Sequence, residues 1–253
     1  MGFQRYVALG DSFTEGVGDL DPERPNGVRG WADRVAEVLA TRVDDFTYAN
    51  LAIRGRKLDA IVSEQLSPAL AMAPDLVTIY AGANDIMRPR VDLDRLMESY
   101  DDALARLTAS GARVVVFTAF DTGGSAVYAP VRGRFALYNE LLRQSVEEHG
   151  ATLVDFWRMR ELRDWRHWDR DRMHLNAAGH QRIAIAVLDR LDVPHTLAPL
   201  PLGQLEQLDR RARLAHDLDW VRTHAVPWVH RRLTGRSSGD LVSARRPTLT
   251  PVE

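Results

Sequence analysis

Four short stretches of this chain carry side chains able to do acyl-transfer chemistry, and they are spread from Ser12 to His180. The first is Tyr6-Val7-Ala8-Leu9-Gly10-Asp11-Ser12-Phe13-Thr14-Glu15-Gly16, an apolar run that breaks at glycine and at once presents a serine hydroxyl. The second, Ala49-Asn50-Leu51-Ala52-Ile53-Arg54-Gly55-Arg56, puts a glycine where the chain must turn. The third, Tyr80-Ala81-Gly82-Ala83-Asn84-Asp85, offers in Asn84 an amide able to donate a hydrogen bond to a carbonyl oxygen that gathers charge. The fourth runs from Asp169 to His180 and sets Asp171 three residues before His174. A histidine that takes a proton from serine must first be neutral, and a carboxylate fixes its tautomer and stabilises the imidazolium that forms. With both groups on one loop, a single backbone conformation sets their geometry.

Those residues need a frame. Tyr6 to Leu9 is β-prone and too short for a helix, so it reads as a buried strand with Ser12 on the turn beyond. That puts the hydroxyl at the carboxyl edge of a sheet, where ligands sit in open α/β folds. Further strands are predicted at 46–51, 75–80, 112–120 and 151–156, and helices at 31–41, 57–66, 93–107, 132–148 and 176–191. Alternating strands and helices predict a parallel sheet with helices on both faces. No internal repeat is visible.

The four blocks, in this order, resemble those of the GDSL, or SGNH, family of serine esterases. The matching residues are Gly-Asp-Ser-Phe-Thr-Glu-Gly around Ser12, Gly55 after the second strand, and Gly-x-Asn-Asp ending at Asp85. Asp-x-x-His ending at His174 completes the set, with His-Leu-Asn-x-x-Gly-His continuing it. The resemblance implies an α/β fold: a flavodoxin-like three-layer α/β/α sandwich with a central parallel sheet. It implies that Ser12 is the nucleophile, His174 the general base and then acid, and Asp171 its orienting partner. The implied oxyanion hole is the N–H of Ser12, the N–H of Gly55 and the side chain of Asn84. The implied reaction cleaves a small-molecule carboxylic ester through an acyl-enzyme, with no metal or organic cofactor. Lipase, esterase and carbohydrate deacetylase are not separated by these residues.

Simpler roles compete at several positions. Gly55 also reads as an ordinary turn glycine, and the Asn84-Asp85 pair as a helix cap or Asx turn, with Asp85 stabilising the loop. Asp169 is a rival carboxylate at the wrong spacing, His180 reads as a packing residue or structural hydrogen bond, and Asn176 is placed to cap the last helix. A phosphate-binding α/β protein would need Gly-x-Gly-x-x-Gly or Gly-Lys-Ser/Thr, and neither is present. His167, His174 and His180 lack the spacing of a metal hydrolase. A catalytically inactive SGNH-like binding module is the main alternative, and the filling of every catalytic position argues against it.

The chain has 253 residues, 45% of them apolar and 27% charged, with a net charge of −2. This is the balance of an ordinary soluble protein, with no electrostatic case for nucleic acid. Lys57 is the only lysine, and cysteine is absent, which removes disulfides and thiolate chemistry together. No apolar run approaches the length of a membrane span, and residues 1–5 lead into the first strand without a signal segment, so a cytoplasmic protein is expected. Residues 1–193 are read as the hydrolase domain. A proline-rich connector then leads into a helical extension within 194–233, packed on the domain, and 234–253 reads as a flexible tail. Leu205, Leu208, Ala212, Ala215, Leu218 and Val221 mark the apolar side of the extension, which is a candidate surface for a homo-oligomer, a lid or an interfacial helix, and Pro227 is expected to end or kink it. Loops 19–30, 87–91 and 121–132 are expected to shape the pocket, with Gly123, Gly124 and Tyr128 suggesting a mobile cover.

Overall fold

In the computed structural model, residues 2–88, 90–124, 128–204, 209–234 and 236–252 are described. The strands are β1 (Arg5–Gly10), β2 (Thr47–Asn50), β3 (Leu76–Tyr80), β4 (Arg113–Phe117), β5 (Thr152–Val154) and β6 (Arg246–Pro251). The helices are α1 (Ser12–Glu15), α2 (Trp31–Ala40), α3 (Leu58–Ile61), α4 (Ser67–Ala71), α5 (Ala83–Ile86), α6 (Leu93–Ala109), α7 (Arg132–Glu148), α8 (Ala177–Arg190), α9 (Arg210–Trp220) and α10 (Val226–Leu233). The sheet order is β5-β4-β3-β1-β2-β6, with β1 to β5 parallel and β6 antiparallel to β2.

Alternation along the strands divides the core in two. Val7, Leu9, Val77, Ile79, Val114 and Val116 face one layer, where α3, α6 and α7 bury Leu58, Tyr100 and Tyr138. Tyr6, Ala8, Val115 and Phe117 face the other, closed by α2 and α8 through Trp31, Val35, Ile183 and Val187. Strands buried on both faces read as continuous apolar runs, which is why these segments were recognisable. The chain leaves β1 toward β2 on one side and crosses back to β3 on the other, so the carboxyl ends of β1 and β3 open a crevice between diverging loops.

Residues 246–251, read from the sequence as part of a flexible tail, form β6 and cover the outer edge of β2. Arg245 explains the docking. Its side chain is fully buried and its Nη1 donates to Asp33 Oδ2 and to the Glu15 carbonyl, both at 2.8 Å. A composition rich in Gly, Ser, Arg and Pro hides this, because the strand is held by one buried ion pair and by backbone pairing.

Pro227, expected to end or kink the C-terminal helix, does not end it. A π-helical turn, Val221–Ala225, precedes α10, and Val221, Ala225 and Val226 all keep right-handed helical angles through Pro227. The wider turn takes up the missing N–H and the clash that proline imposes on the preceding carbonyl. The same device, Val62–Leu66, lies just before Pro68. Leu205 and Leu208 of the extension lie outside the described residues. Among the described residues, no helix is long and apolar enough to cross a membrane.

Candidate active site

Ser12 sits at the first position of α1, directly after β1. Gly10 has a φ of +150°, and a Cβ there would lie 2.7 Å from the Tyr80 carbonyl, so only glycine lets the chain pass this close to β3. Gln65, buried on the first π turn, pairs with both backbone groups of Gly10: Oε1 accepts from its N–H at 2.8 Å and Nε2 donates to its carbonyl at 2.9 Å. Asp11 caps α1, its Oδ1 accepting the Phe13 N–H at 3.0 Å. The Phe13 ring then wedges against Tyr80, 4.4 Å between centroids, and against Trp31, Phe117 and Phe156. The serine is thus carried on a turn fixed from three sides.

Glu15, at the end of α1, holds the neighbouring block. Its carboxylate is fully buried and accepts the Arg54 N–H at 2.7 Å and the Arg54 Nη2 at 2.5 Å. Gly55 follows at φ +76°, a left-handed turn that suits glycine, with Ser237 packed against it. On the β3 side, Asn84 Nδ2 donates to Asp11 Oδ2 at 2.8 Å and to the Arg56 carbonyl at 3.0 Å. Asp85 faces away from the pocket and accepts the Leu58 N–H at 3.0 Å, capping α3 instead of its own loop.

On the loop before α8, Asp171 Oδ2 meets His174 Nδ1 at 2.5 Å, while Asp171 Oδ1 accepts the N–H groups of Met173 and His174 at 2.8 and 3.0 Å. Burial works against charge on His174, but the bonded Asp171 carboxylate outweighs it and holds the pKa above the usual histidine value. Burial pushes Asp171 upward, and the His174 contact with the two N–H donors overcomes it, so Asp171 stays below the usual carboxylate value. Asp11 goes the other way: burial raises it to about 7, partly offset by the Phe13 N–H and by His174. His180 is structural. Burial lowers its pKa to about 3, its Nδ1 accepts the Trp31 N–H at 3.3 Å, and Nε2 faces the Val17 carbonyl at 3.2 Å. Asp169 does not bond the His174 ring; its N–H donates to the His174 carbonyl at 2.8 Å. Asn176 caps α8 through the N–H groups of Ala178 and Gly179.

Ser12, Gly55, Asn84 and His174 line one pocket of ≈ 140 Å³, with Asp171 behind the histidine. Among the described residues no hydrogen bond joins Ser12 to His174, a contact that in unliganded hydrolases often tightens only when substrate binds. Met87 and Tyr128 line the pocket from two of the expected loops, whereas among the described residues none of 19–30 does. Asp19 in that loop turns inward to a buried ion pair with Arg34. Residues Pro89 and Ser125 to Val127 lie outside the described residues. The described flank of the 121–132 loop is tied down by Asp121, which holds Arg132 at 2.7 Å and also Arg163.

Sequence reasoning gave no role to Asp11 or Glu15, and for the C-terminal extension it offered packing on the domain, an oligomer contact, a lid or an interfacial helix. Asp11 and Glu15 both stand inside the first block, and only the folded chain reveals what they hold: Asp11 the Asn84 amide, and Glu15 the Arg54 backbone and guanidinium. The C-terminal part reaches the site directly: Trp228 and Arg231 of the extension and Ser238 of the stretch read as a tail line the pocket, and Trp220 Nε1 donates to the Asp171 carbonyl at 2.9 Å.

Among solved structures, LAE5, an alpha/beta hydrolase enzyme from the metagenome of Lake Arreo, Spain, is 23% identical with a TM-score of 0.64, over 76% of this chain and 97% of its own. Axe2, an acetylxylan esterase from Geobacillus stearothermophilus, is 21% identical with a TM-score of 0.62, over 76% of this chain and 95% of its own. The acetyl xylan esterase AlAXEase is 21% identical with a TM-score of 0.60, over 73% of this chain and 98% of its own. At these identities the likeness bears on the fold. No curated protein matches the sequence. The GDSL-like Lipase/Acylhydrolase family matches residues 8–182, a span that holds Ser12, Gly55, Asn84, Asp171 and His174 and well over half of the chain, and the chain belongs to that family.

Proposed function

We propose that this hydrolase cleaves carboxylic esters through an acyl-enzyme on Ser12. His174 takes the Ser12 proton as the hydroxyl attacks the ester carbon, and Asp171 stabilises the imidazolium. The proton then passes to the leaving alkoxide, leaving the acyl group on Ser12. Water, deprotonated by the same histidine, attacks the acyl carbon, and collapse of that tetrahedral adduct returns the proton to Ser12 and frees the acid. The N–H groups of Ser12 and Gly55 and the Asn84 amide stabilise the oxyanion in both halves.

The observation that carries this reading is the convergence of Ser12, Gly55, Asn84 and His174 on one pocket, with Asp171 bonded to the histidine. A fluorophosphonate probe tests it. The wild-type chain should be labelled at Ser12 and lose p-nitrophenyl ester hydrolysis with the same time course, while Ser12→Ala stays unlabelled and inactive with an unchanged melting curve. Labelling elsewhere, or turnover by Ser12→Ala at the wild-type rate, would refute it.

An acetylated sugar is the second reading. Acetylxylan esterases are among the structural neighbours, and Trp165, 40% exposed beside Trp168, offers a ring face for sugar stacking. For the quaternary state, Leu214, Leu218 and Val221 lie exposed at helical spacing on the extension, and we place the contact of a homo-oligomer there. Leu218→Glu should then shift sedimentation toward the monomer.

A further inference from the structure

We infer that the C-terminal helices complete an acyl-chain pocket, so that the enzyme prefers esters of medium-length unbranched acids over acetates. This rests on the ester-hydrolase reading above and goes on to name the acid side of the substrate. The observation is a second, apolar cavity of ≈ 240 Å³ beside the Ser12 pocket. One wall comes from the hydrolase core, through Met87, Val131 and Met173, and the other from the extension, through Trp220, Trp228 and Val229. Met87, Tyr128, Met173 and Trp228 line both cavities, so they share a boundary.

The extension wall is held in place close to the reacting groups. Trp220 is anchored through its indole N–H to the Asp171 carbonyl at 2.9 Å. Arg172 pairs with Asp217 at 2.7 Å and lies 5.0 Å from the Trp220 ring centroid. The family match ends at residue 182, before α9 and α10, so this wall is an addition to the core on which the four blocks stand. The chain assigned to this cavity is the acyl part of the ester, which remains on Ser12 after the alcohol has left. The cavity of ≈ 240 Å³ has room for several methylene groups. Acetate leaves nearly all of it unfilled. Each further methylene buried there should raise kcat/KM by about fourfold until the cavity is full.

The test is a p-nitrophenyl acetate, butyrate, hexanoate and octanoate series on the wild-type chain and on Ala225→Phe, which narrows the cavity. Val229→Phe, at a half-exposed position, serves as the second variant should the first fail to fold. The wild type should favour hexanoate over acetate in kcat/KM by about a hundredfold or more, four methylenes at about fourfold each, and either variant should collapse that ratio toward one. Acetate as the best substrate, or a ratio the same in all three proteins, overturns the acyl pocket and leaves the sugar-acetate reading. A binding arm separates this from failure of the hydrolase reading. Octanoate should quench tryptophan fluorescence of Ser12→Ala saturably, and less so with Ala225→Phe added. Saturable quenching without hydrolysis by the wild type would uphold the pocket and refute the esterase, and hydrolysis without quenching would do the reverse.

Discussion

Asn84 Nδ2 lies 2.8 Å from Asp11 Oδ2 and 3.0 Å from the Arg56 carbonyl, so both of its amide hydrogens already have acceptors. Donation to an oxyanion therefore requires an exchange, and the longer bond, to Arg56, is the one to give up. Asn84→Ala should lower kcat by about 10²-fold or more, with a smaller change in KM. Asn84→Asp should be no better, since it presents a carboxylate both to the developing charge and to Asp11. An active Asn84→Asp beside a damaged Asn84→Ala, both with normal melting curves, would assign Asn84 to the loop and remove it from the oxyanion hole.

Asp11 then orients Asn84 while capping the serine helix. Asp11→Ala should reduce kcat by one to two orders of magnitude, on the scale of losing one oxyanion donor, and combining it with Asn84→Ala should add little because the two act as a unit. A separate stability signature follows. With its pKa raised in the fold from 3.8 to about 7, Asp11 makes the native state bind more protons across that interval, so its contribution to stability falls as pH rises through it. Asp11→Asn should lose less Tm than the wild type between pH 4 and 7. Parallel Tm curves would place the carboxylate in a more hydrated setting.

The same charges shape the rate profile. The base must be neutral, and the Asp171 contact raises the pKa of His174, so the acid limb of kcat/KM should lie above the ordinary histidine value of about 6.5. The negative charge of Asp11 adds to that elevation, so Asp11→Asn should move the limb to lower pH. A flat profile from pH 5 to 9 with chemistry rate-limiting would contradict histidine base catalysis.

Arg245 gives a test remote from the chemistry. Arg245→Ala leaves the buried Asp33 carboxylate without its cation, a change that costs about 3–5 kcal/mol in comparable buried pairs. The melting temperature should fall, and amide exchange should rise first in β6 and along β2. An unchanged Tm would mean that Asp33 finds water or protonates in the variant.

The parallel sheet and the four blocks were legible because buried strands are written as apolar runs and because Ser12, Gly55 and Asn84 lie within five residues of a strand end, while His174 stands just before α8. What escaped was set by contacts distant in sequence. Asp11 and Asn84 are linked across the β1–β3 crevice, Glu15 binds the chain before Gly55, and Arg245 reaches back to Asp33. The strand at 246–251 carries no alternation to announce it, its prolines and threonines taking meaning only from β2 beside them. Pro227 was legible as a disturbance of the helix but not in its form: a π turn upstream absorbs its geometry, and nothing in the local composition signals that turn.

The position of β6 also bears on how the protein is made. Among the described residues, those at 246–251 pair with the outer edge of β2, and they leave the ribosome about two hundred residues later. At about 5–20 residues per second, that edge stays open for roughly 10–40 s of translation. During that time the nascent chain carries an unpaired strand edge together with the Asp33 carboxylate still lacking Arg245, the kind of surface that chaperones recognise and that neighbouring nascent chains on a polysome can pair with.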